Sequence, residues 1–143
     1  MPEKEITKKE LNDLERELDK LWDKVGIDIE FTRHFFDRVN DTRNQKQITI
    51  SELEDIFRKT FKKHGKKISN NVFKVKTEKE IEAILEDINT NINIPFVLQW
   101  NARKEELELI SKTVMRKKNF KSSNKKFRVE SFKSFLRRKN ENI

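Results

Sequence analysis

The sequence predicts an α+β domain: N-terminal helices packed on a small antiparallel β-sheet, followed by a basic C-terminal extension. Three observations carry this expectation. Apolar residues recur at three- and four-residue steps through the first half, two β-rich runs face each other across a polar stretch after Pro95, and the excess positive charge is confined to the last quarter. The expected division is one helical-plus-sheet domain over 1–118, then a basic linker and short amphipathic segment over 119–143. Hydrophobic residues at 34% with 11 Phe suffice for one modest core in 143 residues.

Thr7-Lys-Lys-Glu10 forms a capping box, after which Leu11, Leu14, Leu18, Leu21, Trp22 and Val25 make an apolar stripe ending at Gly26. The spacing also fits a heptad seam with a second subunit, but three heptads are marginal, so the stripe is expected to pack within the chain. Thr32 is placed to cap a second helix, with Phe31 and Phe36 as a hydrophobic staple and Phe35, Phe36 and Val39 turned inward. Ser51-Glu-Leu-Glu54 reads as the start of a third helix, with Leu53, Ile56, Phe57 and Phe61 buried and Gly65 past its end. Thr77-Glu-Lys-Glu80 reads as the cap of a fourth, through Ile81, Ile84, Leu85 and Ile88, with a short strand at Val72-Phe-Lys-Val75 before it.

Phe96 to Trp100 and Leu107 to Met115 read as strands of an antiparallel hairpin joined by 101–105. The alternation slips at Leu109-Ile110, which predicts a bulge or a strand covered on both faces. Residues 119–126 read as loop, Phe127-Arg-Val-Glu130 as an edge strand, and Ser131 to Arg138 as an amphipathic helical segment with a basic opposite face.

The absence of Cys excludes disulfides, Cys-ligated zinc and thiol catalysis, and suits a reducing compartment. No apolar run approaches the roughly 20 residues of a membrane span, and the opening Met1-Pro-Glu-Lys-Glu5 lacks the apolar core of a signal peptide, so a cytosolic protein without membrane contact is expected. The net charge of +8 is unevenly placed: from Lys112 onward twelve Lys and Arg stand against Glu130 and Glu141, a local excess of +10, which leaves −2 on residues 1–111. Such asymmetry is the footprint of a surface that meets a polyanion.

Two local patterns carry chemistry. His34 and Arg38, four apart, share a helix face; an imidazole exchanges protons near neutral pH, and a guanidinium beside it grips a phosphate. Arg116, Lys117 and Lys118 follow an apolar strand, so at least one is expected to project from a rigid platform. Asp37, Asp41, Glu52, Glu54 and Asp55 lack the spacing that focuses carboxylates on magnesium, and are read as helix caps and ion-pair partners. No Gly-rich phosphate loop, GxSxG or HExxH is present, and neither metal nor cofactor is expected. His64 is attributed to a helix C-terminus, Trp22 and Trp100 to the core, and Phe120 and Phe127, interleaved with cations, to stacking on unpaired bases.

The phrase Phe31-Thr-Arg-His34-Phe-Phe-Asp-Arg38, the further Arg43, Ile48-Thr-Ile-Ser-Glu-Leu53, and the ending Lys112-Thr-Val-Met-Arg116-Lys-Lys118 resemble a domain of tailed-phage proteins, similar to the barnase and RelE-like ribonuclease superfamily. The resemblance spans roughly residues 27 to 120. It implies metal-independent RNA cleavage by the ribose 2′-hydroxyl, with His34 as acid/base, Arg38 as phosphate clamp and Arg116 stabilising the transition state. It also implies RNA contacts from Lys117 and Lys118; Arg43, Lys112, Lys121, Lys125, Lys126 and Arg128 join them from the basic segment and the matched phrase. Departures from the pattern are the lack of any Tyr and of a His in the last strand, so a fold retained without catalysis stays open. Ser131-Phe-Lys-Ser-Phe-Leu136 resembles a short motif at the termini of large-phage proteins.

The leading expectation is therefore a phage-encoded RNA-binding protein, with metal-independent endoribonuclease activity as its catalytic form, in the cytoplasm of an infected bacterium or associated with the virion. The alternatives are a non-catalytic basic protein that binds nucleic acid or phage or host proteins, and a protein-binding module using the Leu11 to Val25 helix. A monomer or weak homodimer is expected.

Overall fold

The computed structural model describes residues 4–130, so the segment Ser131 to Arg138 lies outside the described residues. Helix α1 (Lys8–Trp22) opens on the predicted capping box, with the Thr7 hydroxyl accepting from the Glu10 amide at 3.1 Å and the Glu10 carboxylate accepting in return. Leu11, Leu14, Leu18 and Trp22 are buried, and α1 packs on strand β1 (Ile27–Phe31) and helix α3 (Ile50–Ser69). The stripe is thus covered within the chain, and no second subunit is needed to shelter it.

Helix α2 (Arg33–Arg38) is capped by Thr32, whose hydroxyl accepts from the Phe35 amide. Phe35 and Val39 are fully buried and Phe36 half-buried. Phe31 stacks on Phe35 at 4.5 Å, not on Phe36 as a staple would require, because Phe31 belongs to a strand that turns it into the core.

The third helix departs from expectation at both ends. Its capping box is Thr49 with Glu52, two residues earlier than Ser51 with Glu54, and Gly65 lies inside it, where an added Cβ would meet the Phe61 ring. A single glycine weakens a helix by only about 1 kcal/mol, and burial of Ile68 one turn later outweighs that. The helix continues to Ser69, where Asn71 Nδ2 donates to the carbonyls of Lys67 and Ile68. His64 is therefore a mid-helix residue and not a C-terminal one. Residues Val72–Glu78 form a fourth helix, α4, where a strand was expected; Val75 is its core contact, against the sheet.

The sheet contains β1, β2 (Glu80–Asp87), β3 (Ile92–Asn101), β4 (Glu106–Ser111) and β6 (Lys125–Val129) in the order β1-β4-β3-β2-β6, with the short β5 (Met115–Arg116) also pairing with β3. It is mixed and not purely antiparallel: β1 runs parallel to β4 and β6 parallel to β2. Nor do the helices all precede the sheet, since β1 separates α1 from α2. Its five residues, Ile-Asp-Ile-Glu-Phe, alternate between buried and half-buried.

The predicted helix at 80–88 is strand β2. Ile81, Ile84, Leu85 and Ile88 fit a helical stripe, but Ala83, Ile84 and Leu85 are buried in succession, and Ala83 and Leu85 lie opposite Phe96 and Ile94 of β3. Ile88, the residue that would complete the stripe, is exposed. The hairpin of β3 and β4 is present with an unbroken register, but its second strand stops at Ser111 instead of running to Met115, and Met115 and Arg116 pair with β3 again as β5. The slip at Leu109-Ile110 marks no bulge; Leu107, Glu108 and Leu109 are all buried, so the strand is covered on both faces. The edge strand at Phe127 is also present, and with Phe127 and Val129 in the core it draws part of the basic segment into the sheet.

The free edge of β1 is occupied by α1. The Ile29 amide donates to Asp19 Oδ1 at 2.6 Å and the Phe31 amide to Glu15 Oε2 at 2.7 Å, so two carboxylates four residues apart on a helix satisfy alternate amides of an outermost strand. Among the described residues no helix is long and apolar enough to cross a membrane.

Candidate functional site

Arg116 is the most heavily engaged cation among the described residues. Its Nε donates to the Lys46 carbonyl, one terminal nitrogen to Thr90 O and Glu52 Oε2, and the other to Gln47 O and Glu52 Oε1, all between 2.8 and 3.2 Å. Those five bonds account for all five guanidinium donors. Arg116 thus ties together the loop before α3, the first turn of α3 and the turn between β2 and β3. In this arrangement it has no donor left over for a phosphate.

What Arg116 positions is a cleft of about 720 Å³ lined by Arg38, Asp41, Arg43, Asn44, Gln45, Asn91 and the segment from Val114 to Lys118. Asn44, buried, donates to the Arg38 carbonyl and accepts from the Arg116 amide, so one side chain fixes the two walls against each other. Asp41 sits between Arg38 and Arg43, bonded to each at 2.8 to 2.9 Å, and orients both guanidiniums without engaging all their donors. The Lys117 backbone is held at both ends, its amide by Asn91 O and its carbonyl by Asn93 Nδ2. The Lys117 and Lys118 side chains are exposed, with no ion-pair partner among the described residues.

His34 does not line this cleft. It lines an adjoining depression of about 540 Å³ with Thr32, Glu82, Ala83, Pro95, Phe96, Lys112, Thr113 and Asn124. The two are linked, because Arg38 Nε donates to His34 Nε2 at 3.2 Å; in this arrangement the imidazole proton is on Nδ1. The predicted four-residue pairing is therefore real, with the histidine and the arginine facing different cavities. Lys112 is exposed at the rim, 3.7 Å from Glu82.

The remaining predicted cations divide. Lys121 is exposed in the loop before β6, and Lys125 is exposed over the Phe127 ring. Arg128 is exposed but paired with Glu86. Lys126 is mostly covered, bonded to Glu86 and the Phe120 carbonyl, and serves the fold before any ligand. Phe127 is buried and Phe120 half-buried beside Lys126, so neither presents a free face for stacking. His64 Nε2 donates to the Arg128 carbonyl at 2.9 Å; burial, and the cations Lys63, Lys67 and Lys125, hold its pKa below the ordinary value, against the raising effect of that bond. The core assignment of Trp22 holds. Trp100 is half-buried under the Lys76 ammonium.

No family model, curated protein or solved structure matches the chain.

The carboxylates read as helix caps and partners take those parts: Glu52 caps α3 and grips Arg116, Glu54 pairs with Arg58 and Asp55 with Lys59. Asp41, Asn44, Gln45 and Asn91 of the cleft were missed. Only Asp41 carried a sequence signal, three residues from Arg38 and two from Arg43.

A second cluster, also missed, lies on β1 and β4, where carboxylate oxygens of Asp28, Glu30 and Glu108 come within 4.8 Å of one another. Glu108 accepts from Gln99 and Asn101, which with Glu30 hold its pKa low against burial. Burial and the Glu108 and Asp28 charges push Glu30 up to about 7; burial, followed by Asp28 and Glu15, pushes Asp19 up to about 7 despite its bond from Ile29. A folded-state pKa above the free values of 4.5 and 3.8 means that the folded protein binds more protons between about pH 4 and 7, so stability falls as pH rises through that window. Urea unfolding at pH 5.5 and 8 is expected to show about 1 kcal/mol less stability at the higher pH, after allowance for solvent screening of half-exposed charges. Glu30→Gln should shrink the difference. Equal or greater stability at pH 8 would refute this.

Proposed function

We propose that the protein binds nucleic acid through its phosphate backbone, RNA foremost, and does not cut it. The observation that carries this is the cleft in which Arg38, Arg43, Lys117 and Lys118 converge on rigid backbone, with Arg116 and Asn44 fixing the walls. Oriented guanidiniums and unpaired ammoniums on a preformed concave surface are the donor set that phosphate oxygens require. Cleavage by a 2′-hydroxyl needs a base and an acid on opposite sides of one phosphate. Among the described residues His34 is the one imidazole near the cleft, it faces the neighbouring depression, and its Nε2 is engaged by Arg38. The phage setting and the likeness to ribonucleases rest on the sequence resemblance and accord with this reading in its non-catalytic form.

Fluorescence anisotropy with labelled RNA across a salt series tests it. Four cations on a single strand contribute a log-log slope of about −3, and Lys117→Ala with Lys118→Ala should flatten the observed slope by about 1.4. An unchanged slope would remove the cleft from the interface. Accumulation of 2′,3′-cyclic phosphate ends in EDTA, abolished by His34→Ala, would show that the site cuts as well as binds.

A further inference from the structure

The cleft is the first of three depressions, joined to the second by a hydrogen bond, while the second and third share a residue. Arg38 on its wall bonds His34, which lines the second; Asn124, on the rim of the second, also lines the third, of about 480 Å³, formed by Lys63, His64, Ser122, Lys126 and Arg128. The first is cationic, and the third presents the exposed cations Lys63 and Arg128, its Lys126 being held by Glu86. The middle one differs, with a floor of Ala83, Pro95 and Phe96 beneath a rim carrying Thr32, His34 and Asn124. The carboxylates along this path are neutralised by partners, Glu82 by Lys112 and Glu86 by Lys126 and Arg128.

We infer that the three depressions form one track for an unpaired strand, with phosphates in the two cationic ends and a base held in the middle. This rests on the phosphate-binding reading of the cleft and adds to it the strandedness of the ligand and a base subsite. A paired base cannot turn away from its partner into a lateral depression, whereas an unpaired one can present its edge to the His34 Nδ1–H and the Asn124 amide while its ring covers the apolar floor. The subsite reads shape more than sequence, since its contact with the ring is an apolar floor.

Two oligoribonucleotides of equal length and phosphate number, one with bases and one fully abasic, separate the base from the backbone. The base-bearing strand is expected to bind the wild-type protein on the order of 10-fold more tightly. It is also expected to outbind a blunt duplex of the same sequence. Thr113→Leu, which narrows the middle depression, should abolish the preference for bases and leave abasic binding unchanged, while Arg43→Ala should weaken both strands alike. Equal binding of abasic and base-bearing strands to the wild type, or binding of the duplex as tight as the single strand, would overturn the inference while leaving phosphate binding in the cleft standing. If neither strand binds, the cleft reading fails and the track falls with it.

Discussion

Arg116→Ala is expected to destabilise the protein by about 3 to 5 kcal/mol, measured by urea unfolding at neutral pH. The side chains of Arg116 and Glu52 are only 12% and 18% exposed. Removing the guanidinium leaves a mostly covered carboxylate without its counter-charge, and the carbonyls of Lys46, Gln47 and Thr90 each lose a donor. Arg116→Lys should recover only a minor part, because an ammonium has three donors and no planar fork to span Glu52 and the carbonyls together. The pH dependence has a definite sign. Burial raises the Glu52 pKa, but bonds from Arg116 and Thr49 outweigh it and hold the group below its usual value of 4.5. The stability from this pair is thus present above pH 4.5 and lost as pH falls through the folded-state pKa, and the variant should lose that acid limb. A loss below about 1 kcal/mol would mean that the bonds around Arg116 are dispensable.

Leu18→Ala is the second large effect, about 2 to 5 kcal/mol. Leu18 is completely buried, on a helix that rests on β1 and α3. The cavity left would be walled by α-helix and sheet on different sides, so little collapse can fill it. Because the stripe is covered within one chain, the loss should be the same at low and high protein concentration. A wild-type midpoint that rises with concentration, or a variant as stable as wild type, would show that α1 takes its partner from another molecule.

The parts of the fold legible in the sequence were those in which one local device acted alone. Thr7 with Glu10, and Thr32 before Phe35, capped helices as read, and the hairpin of β3 and β4 followed from β-branched and aromatic runs around a polar turn. The failures came where two devices overlapped. Ser51 with Glu54 was read as the third cap, but Thr49 with Glu52 has the same spacing two residues earlier and is the one used. Thr77 and Glu80 had the spacing of a capping box, but a strand buried at three successive residues shows no alternation, so β2 resembled a helix. The alternation of β1 was visible in Ile27-Asp-Ile-Glu-Phe31, yet its partner is 80 residues away in sequence, and no local pattern reports that. In the site, charge placement found Lys117 and Lys118, the four-residue spacing to His34 found Arg38, and the resemblance supplied Arg43. Charge placement could not distinguish a cation facing a cleft from one consumed by the fold, which is what separates those four from Arg116 and Lys126.

The pairing of Ile27 with Leu107 has a consequence for how the chain is made. Synthesis at about 5 to 20 residues per second leaves an interval of roughly 4 to 16 s between the appearance of β1 and that of the strand it joins. During this time β1 has no neighbour on its β4 side, and the apolar face of α1 lacks α3 for part of the interval. The helix's own carboxylates, Asp19 and Glu15, are within reach of the amides of Ile29 and Phe31 from the start, being only ten and sixteen residues away. The contact that seals the outer edge of the finished sheet can therefore form first, and it leaves the nascent strand with one adhesive side instead of two while the ribosome completes the rest.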